Sequence, residues 1–178
     1  SITTADYIDF DKATSTANKL LKDSKTELIG RYIIIAINTG LRSGDILKLT
    51  YEQLKGDKLT IIESKTGKKK IIALNDAIRS IIPVDATGSP FITQKGGILT
   101  IQHLNRLLKG VFAKESNTLN ISSHSCRKAF GRRVYENNNE SEKALVYLSE
   151  LFNHSSLTMT RKYLGLRQEE LNDIYLNL

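Results

Sequence analysis

The chain has 178 residues, 40% of them hydrophobic and 25% charged, with a formal net charge of +7. That length suits one ordinary domain with a real core. The charge points to a polyanionic partner, of which nucleic acid is the commonest, and the single cysteine, Cys126, excludes an internal disulfide framework. The longest apolar run, Tyr32 to Ile37, is far short of the ~20 residues a membrane span needs. The lone cysteine fits a reducing compartment, and no secretory signal opens the chain. The first residue is Ser1, which leads us to expect a fragment of a longer protein.

Ala13, Ala17, Leu20 and Leu21 stand at helical spacing and predict a core-facing helix within residues 1–22. Ser24-Lys-Thr-Glu27 has the capping-box pattern and predicts a second helix through Ile33-Ile-Ile-Ala-Ile37, although such a β-branched run also suits a buried strand. Asn38-Thr-Gly40 ends it, and Ser43 is positioned to cap a short helix over Asp45 to Leu49. Lys58 to Glu63 and Lys69 to Leu74 flank Ser64-Lys-Thr-Gly67, the pattern of a β-hairpin with a glycine turn. Asn75 should cap a helix ending before Pro83, and Phe91-Ile92 reads as a short third strand.

Thr100 starts an amphipathic helix with Ile101, Leu104, Leu107, Leu108 and Val111 on one face. A polar loop over 114–120 follows. The rest reads as helical: one helix capped by Ser123, one starting at Ser141, a short one over Leu157 to Tyr163, and an amphipathic piece over Glu169 to Leu178. The expected fold class is therefore α+β, mainly helical, with a small antiparallel sheet made of the hairpin plus a third strand. No repeat or domain boundary interrupts residues 1–178.

Four stretches carry candidate chemistry. Arg42, in Thr39-Gly-Leu-Arg42, falls in a polar notch between two apolar helices, where a guanidinium needs an anion or carboxylate partner. Asp45 is the acid expected to hold it. Lys65 stands at the hairpin tip, as a solvated turn residue or as a mobile cation reaching a phosphate. Ser64-Lys-Thr-Gly-Lys68 is not a nucleotide loop, because Ile62 stands where that pattern needs its first glycine and no Ser or Thr follows Lys68. No ATP dependence is expected. His124 and Arg127 sit three apart at a helix start, where free N–H groups favour a phosphate. His124, Cys126 and His154 match no zinc spacing. Tyr163 follows Arg161-Lys162, and a lone tyrosine is more often structural than nucleophilic.

The combination and order of these residues resemble the tyrosine recombinase family, the phage integrases and their relatives. The resemblance rests on Thr39-Gly-Leu-Arg42 followed by Asp45, on Lys65 in Ser-Lys-Thr-Gly-Lys, and on the His-x-x-Arg box His124-Ser-Cys-Arg127. It is completed by His154 in Asn-His-Ser-Ser and Tyr163 in Thr-Arg-Lys-Tyr-Leu, and it covers nearly the whole chain. Two departures stand out: Asn153 replaces the glycine usual before the second histidine, and the acid after the first arginine is more often glutamate than Asp45.

The resemblance implies a single catalytic domain over 1–178, without the family's N-terminal core-binding domain. It implies attack of Tyr163 on a phosphodiester of double-stranded DNA, giving a 3′-phosphotyrosyl link without cofactor or metal. Arg42 and Arg127 would clamp the phosphoryl oxygens, His154 would donate a further hydrogen bond, and His124 would accept the tyrosine proton. Lys65 would protonate the leaving 5′-oxygen, and Asp45 would orient Arg42. Implied partners are other copies in a tetrameric synapse, with the C-terminal helix docking on a neighbour or on its own core, and accessory DNA-bending proteins. The implied setting is a bacterial cytoplasm, on a mobile element. Rival readings are a type IB topoisomerase, a non-catalytic DNA-binding protein on the same scaffold, and a generic basic helical module.

Overall fold

The computed structural model describes residues 5–178. Its elements run α1 (Phe10–Leu20), α2 (Glu27–Thr39), α3 (Ser43–Leu47), α4 (Tyr51–Leu54), β1 (Lys58–Ile62), β2 (Lys69–Ala73) and α5 (Asp76–Arg79). They continue through α6 (Ile101–Val111), α7 (Ala113–Ser116), α8 (Ser123–Asn137), α9 (Glu142–Leu151), α10 (Leu157–Tyr163) and α11 (Leu166–Leu176). Among the described residues, no helix is long and apolar enough to cross a membrane.

The chain is organised around α2. Its β-branched run is helical, and Ile33, Ile34, Ile35, Ala36 and Ile37 are all buried, as a helix apolar on every side requires. It packs against α1, α5, α6 and α8. Its start departs from expectation. Thr26 is the N-cap but makes no side-chain cap bond; its hydroxyl donates instead to Leu20 O at 2.7 Å, tying the turn back to α1. Other caps shift by one residue: α3 begins after Arg42, and Ser122, not Ser123, caps α8 in a capping box with Ser125. Asn75, Thr100 and Ser141 cap as expected.

The sheet is one antiparallel hairpin, with Lys58 opposite Ala73 and Ile62 opposite Lys69. The expected third strand does not join it. Phe91-Ile92 turns back on itself through a single bridge from Ile92 to Ile98, with the Phe91 ring buried edge-on to Tyr32 of α2. The loop expected over 114–120 begins with the single turn of α7.

Two hydrophobic clusters result, and α8 bridges them. Cys126 and Ala129 belong to the large cluster around α2. Phe130 and Val134 face a smaller cluster of Leu145, Leu148, Phe152, Tyr163, Leu164 and Leu166. Gly131 makes the second contact possible, since a Cβ there would lie 2.6 Å from Leu164 Cδ2 and 3.1 Å from the Phe152 ring. The final helix starts earlier than expected and packs on α10. Arg132–Glu169 and Arg161–Glu170 ion pairs tie its first turns down, while Leu171, Ile174, Tyr175 and Leu178 remain exposed.

Candidate active site

The seam between the two clusters gathers residues far apart in sequence. Gly40 ends α2 in the left-handed conformation (φ 68°), with its N–H bonded to Ala36 O. The ring of Phe130 lies where a Cβ would stand, so glycine is required twice over. The turn frees the Gly40 carbonyl, which accepts from Arg127 Nε at 2.8 Å. Arg127 is buried and its guanidinium stacks on Phe152, 4.4 Å from the ring centroid. Two residues beyond Gly40, Arg42 enters the same seam.

The acid that holds Arg42 is Glu63, and this corrects the expectation for Asp45. Arg42 Nη1 donates to Glu63 Oε2 at 3.0 Å. Asp45 is buried in the first turn of α3, where its Oδ1 accepts from the Ser64 N–H at 3.0 Å and fastens the start of the hairpin turn. Glu63 is itself buried and serves several donors. Lys70 Nζ lies 3.2 Å away, Thr66 Oγ1 donates at 3.1 Å and Asn153 Nδ2 at 3.2 Å. Burial pushes its carboxyl up, but the Asn153, Lys70 and Thr66 interactions outweigh burial and hold it below the usual carboxylate range.

Tyr163 closes the seam from α10. It is buried against Phe152 and His154, with ring centroids 5.3 and 5.2 Å away. Lys128 lies over its ring at 4.7 Å. Among the described residues, the Tyr163 hydroxyl has no aligned hydrogen-bond partner. Burial pushes the phenol up, while the Arg127 and Arg42 charges pull the other way. An anionic form therefore needs those guanidinium groups. His154 Nδ1 lies 2.9 Å from Thr160 Oγ1. Burial and the cations Arg127 and Arg42 push His154 down to about 4. His124, half-buried in the first turn of α8, is lowered by burial and by Arg127, Lys128, Arg42 and Lys65. Both rings are thereby kept neutral near pH 7, so His124 is available to accept a proton.

Arg42, Arg127, His154 and Tyr163 thus converge, and His124 borders them. Lys65 is exposed at the hairpin tip, close enough to act on His124 electrostatically. Cys126 stays in the core, its thiol pushed up to about 12 by burial, which leaves it inert.

Sequence reasoning missed Glu63 and Thr160. A signal for Glu63 existed: the period-two alternation that buries Leu59 and Ile61 puts Glu63 on the same inward face, and it is the only acid between Asp57 and Asp76. Thr160 had no comparable signal.

A mainly helical domain with a basic hairpin and a buried tyrosine facing two guanidinium groups has the fold of a tyrosine recombinase catalytic core. Solved structures agree. The XerH site-specific recombinase bound to palindromic difH substrate matches with a TM-score of 0.69 at 21% identity, over 97% of this chain and 53% of that one. The catalytic domain of bacteriophage HP1 integrase matches with a TM-score of 0.62 at 18% identity, over 90% of this chain and 88% of that domain. Among curated proteins, the probable integrase/recombinase YoeC of Bacillus subtilis (strain 168) is 25% identical over 173 residues, 93% of this chain and 91% of YoeC. The phage integrase family model matches residues 8–170, and the chain belongs to that family. It spans little more than half the length of XerH.

Proposed function

We propose that the chain is the catalytic domain of a site-specific recombinase that cuts and rejoins double-stranded DNA through a 3′-phosphotyrosyl intermediate. Tyr163 Oη attacks the scissile phosphorus and the bond to the 5′-oxygen breaks. The phenolic proton passes to His124, and Lys65 gives a proton to the departing oxygen. Arg42 and Arg127 bind the non-bridging oxygens, where negative charge grows in the five-coordinate transition state. Attack by the 5′-hydroxyl of a partner strand reverses these steps and reseals the backbone.

The observation that carries this reading is the placement of Arg127, fixed by the Gly40 carbonyl and the Phe152 face, beside the Tyr163 phenol. The exposed lysines of the hairpin supply phosphate contacts and make binding fall with salt. In the longer protein, a core-binding domain would close the other side of the duplex. Four copies would form the synapse, with the exposed apolar side of α11 seated on a neighbour. Integration and excision of a mobile element in a bacterial cytoplasm, with DNA-bending proteins assisting, is the setting we assign.

A nicked suicide duplex carrying the recombination site tests this. Wild-type protein should give a covalent protein–DNA band, and Tyr163→Phe should give none. An equal band from Tyr163→Phe would move the nucleophile elsewhere. No band from the wild type, with the full-length protein and its own site, would leave only a DNA-binding role.

A further inference from the structure

Behind the site, Ser149, Thr160 and His154 form a chain of contacts that the mechanism above does not use. Ser149 Oγ lies 2.7 Å from Leu145 O, one turn back on α9, and 2.6 Å from Thr160 Oγ1 on α10. Thr160 Oγ1 lies in turn 2.9 Å from His154 Nδ1. Ser149 and Thr160 are 6% and 0% exposed, so bulk water does not replace these partners.

Counting protons fixes the direction of the chain. Each hydroxyl has one proton, and a carbonyl oxygen only accepts. The Ser149 proton therefore serves Leu145 O. The short contact between the two hydroxyls then needs the Thr160 proton. With that proton committed, Thr160 Oγ1 accepts, and His154 Nδ1 must carry the N–H. Three protons make three hydrogen bonds. Run the other way, the chain makes two and leaves the contact between Ser149 and Leu145 without a proton.

We infer that Ser149 and Thr160 are positioning residues that hold neutral His154 as its Nδ1–H tautomer, so that Nε2 can donate to a phosphoryl oxygen only after taking up one proton from solvent. The inference rests on reading the seam as a phosphate site, and it adds a coupling: engaging the phosphate brings a proton onto His154. The groups facing the ring explain why. Burial opposes its protonation in the free protein, and Arg127 from α8 and Arg42 from the start of α3 add to it. From α10 it meets the neutral phenol of Tyr163. On the hairpin side, Glu63 and Lys68 both bond to the neighbouring Asn153. An anion held between the two guanidinium groups offsets their charge and favours the imidazolium.

Nitrogen NMR of the 15N-labelled chain reads the tautomer directly, with the signals assigned by their loss in His154→Gln. The expected result is a pyrrole-like Nδ1 and a pyridine-like Nε2; the opposite pattern overturns the inference. Ser149→Ala frees the Thr160 proton to point at Nδ1, so the tautomer should shift toward Nε2–H. Thr160→Ser should keep the wild-type pattern. No shift in the first, or a changed pattern in the second, would show that the hydroxyls do not set the tautomer.

Inorganic sulfate, a tetrahedral dianion that holds no proton in the neutral range, tests the coupling. Its addition should move His154 to the imidazolium pattern. Its affinity should fall about tenfold per pH unit, the slope expected for uptake of one proton. Sulfate that moves the Arg42 and Arg127 side-chain signals while His154 stays neutral defeats the coupling alone. Sulfate that moves none of them defeats the phosphate site with it.

Discussion

The side chain of Asn153 bonds to Glu63, 90 residues earlier in the chain, its Nδ2 donating to Glu63 Oε1 at 3.2 Å. Asn153 Oδ1 accepts from Lys68 Nζ at 3.0 Å. The residue before His154 thereby holds the hairpin that carries Lys65. Asn153 does so at φ 57°, a left-handed conformation that Asn tolerates and Gly prefers.

Replacing Asn153 with Gly separates the two effects. Relief of backbone strain, about 1 kcal/mol, is opposed by the loss of two side-chain hydrogen bonds, to Glu63 and from Lys68, each worth about 1 kcal/mol. The melting temperature should move by only a few degrees, roughly. Covalent-complex formation on the suicide duplex should slow by about tenfold as the lysine loses its anchor. A variant that cleaves at the wild-type rate would show the bridge to be incidental.

Glu63 holds Arg42 and Lys70 together. In Glu63→Ala the two cations face each other without a counter-charge. Urea unfolding should show a loss of about 2–4 kcal/mol, somewhat under the range for a fully buried pair because both partners keep some solvent contact. Glu63→Gln keeps the shape and should lose about half as much. If the alanine variant unfolds at the wild-type urea concentration, the proposed hub has no energetic weight.

Gly131 sets how closely α8 approaches the C-terminal ends of α9 and α10. A methyl group there meets Leu164 and Phe152, and overpacking of this kind costs about 1–3 kcal/mol. Gly131→Ala should raise amide exchange across α10 more than across α2. Equal change in both helices would mean the two clusters do not yield separately.

His154 makes stability fall in mild acid. Its folded value of about 4 lies below the unfolded value of ~6.5. Between these pH values the unfolded chain binds the proton that the folded chain refuses, so stability rises with pH. The contribution is complete above pH ~6.5 and is lost as pH falls toward ~4. The ring keeps some solvent contact, so we expect about 1–2 kcal/mol rather than the full shift. His154→Gln should flatten the stability profile across that window, as read by thermal melts at stepped pH; an unaltered slope would assign the loss to other groups.

Local rules determined most of the secondary structure. Apolar spacing and caps placed α6, α9 and α10, and the strand–glycine-turn–strand pattern placed the hairpin, because those interactions lie within a few residues of each other. The order of Arg42, Lys65, His124, Arg127, His154 and Tyr163 was likewise readable, since the resemblance needed only residue types and spacing. Only the tertiary structure decided which acid meets Arg42. Asp45 is nearer in sequence, but the hairpin folds back over α3 and delivers Glu63, leaving Asp45 to hold Ser64. It also decided that Phe91-Ile92 stays out of the sheet, that Thr26 bonds to Leu20 rather than capping α2, and that two hydroxyls stand behind His154. Each of these depends on which surfaces meet after the helices pack. A choice between two nearby polar partners is made by that packing, and residue spacing does not carry it.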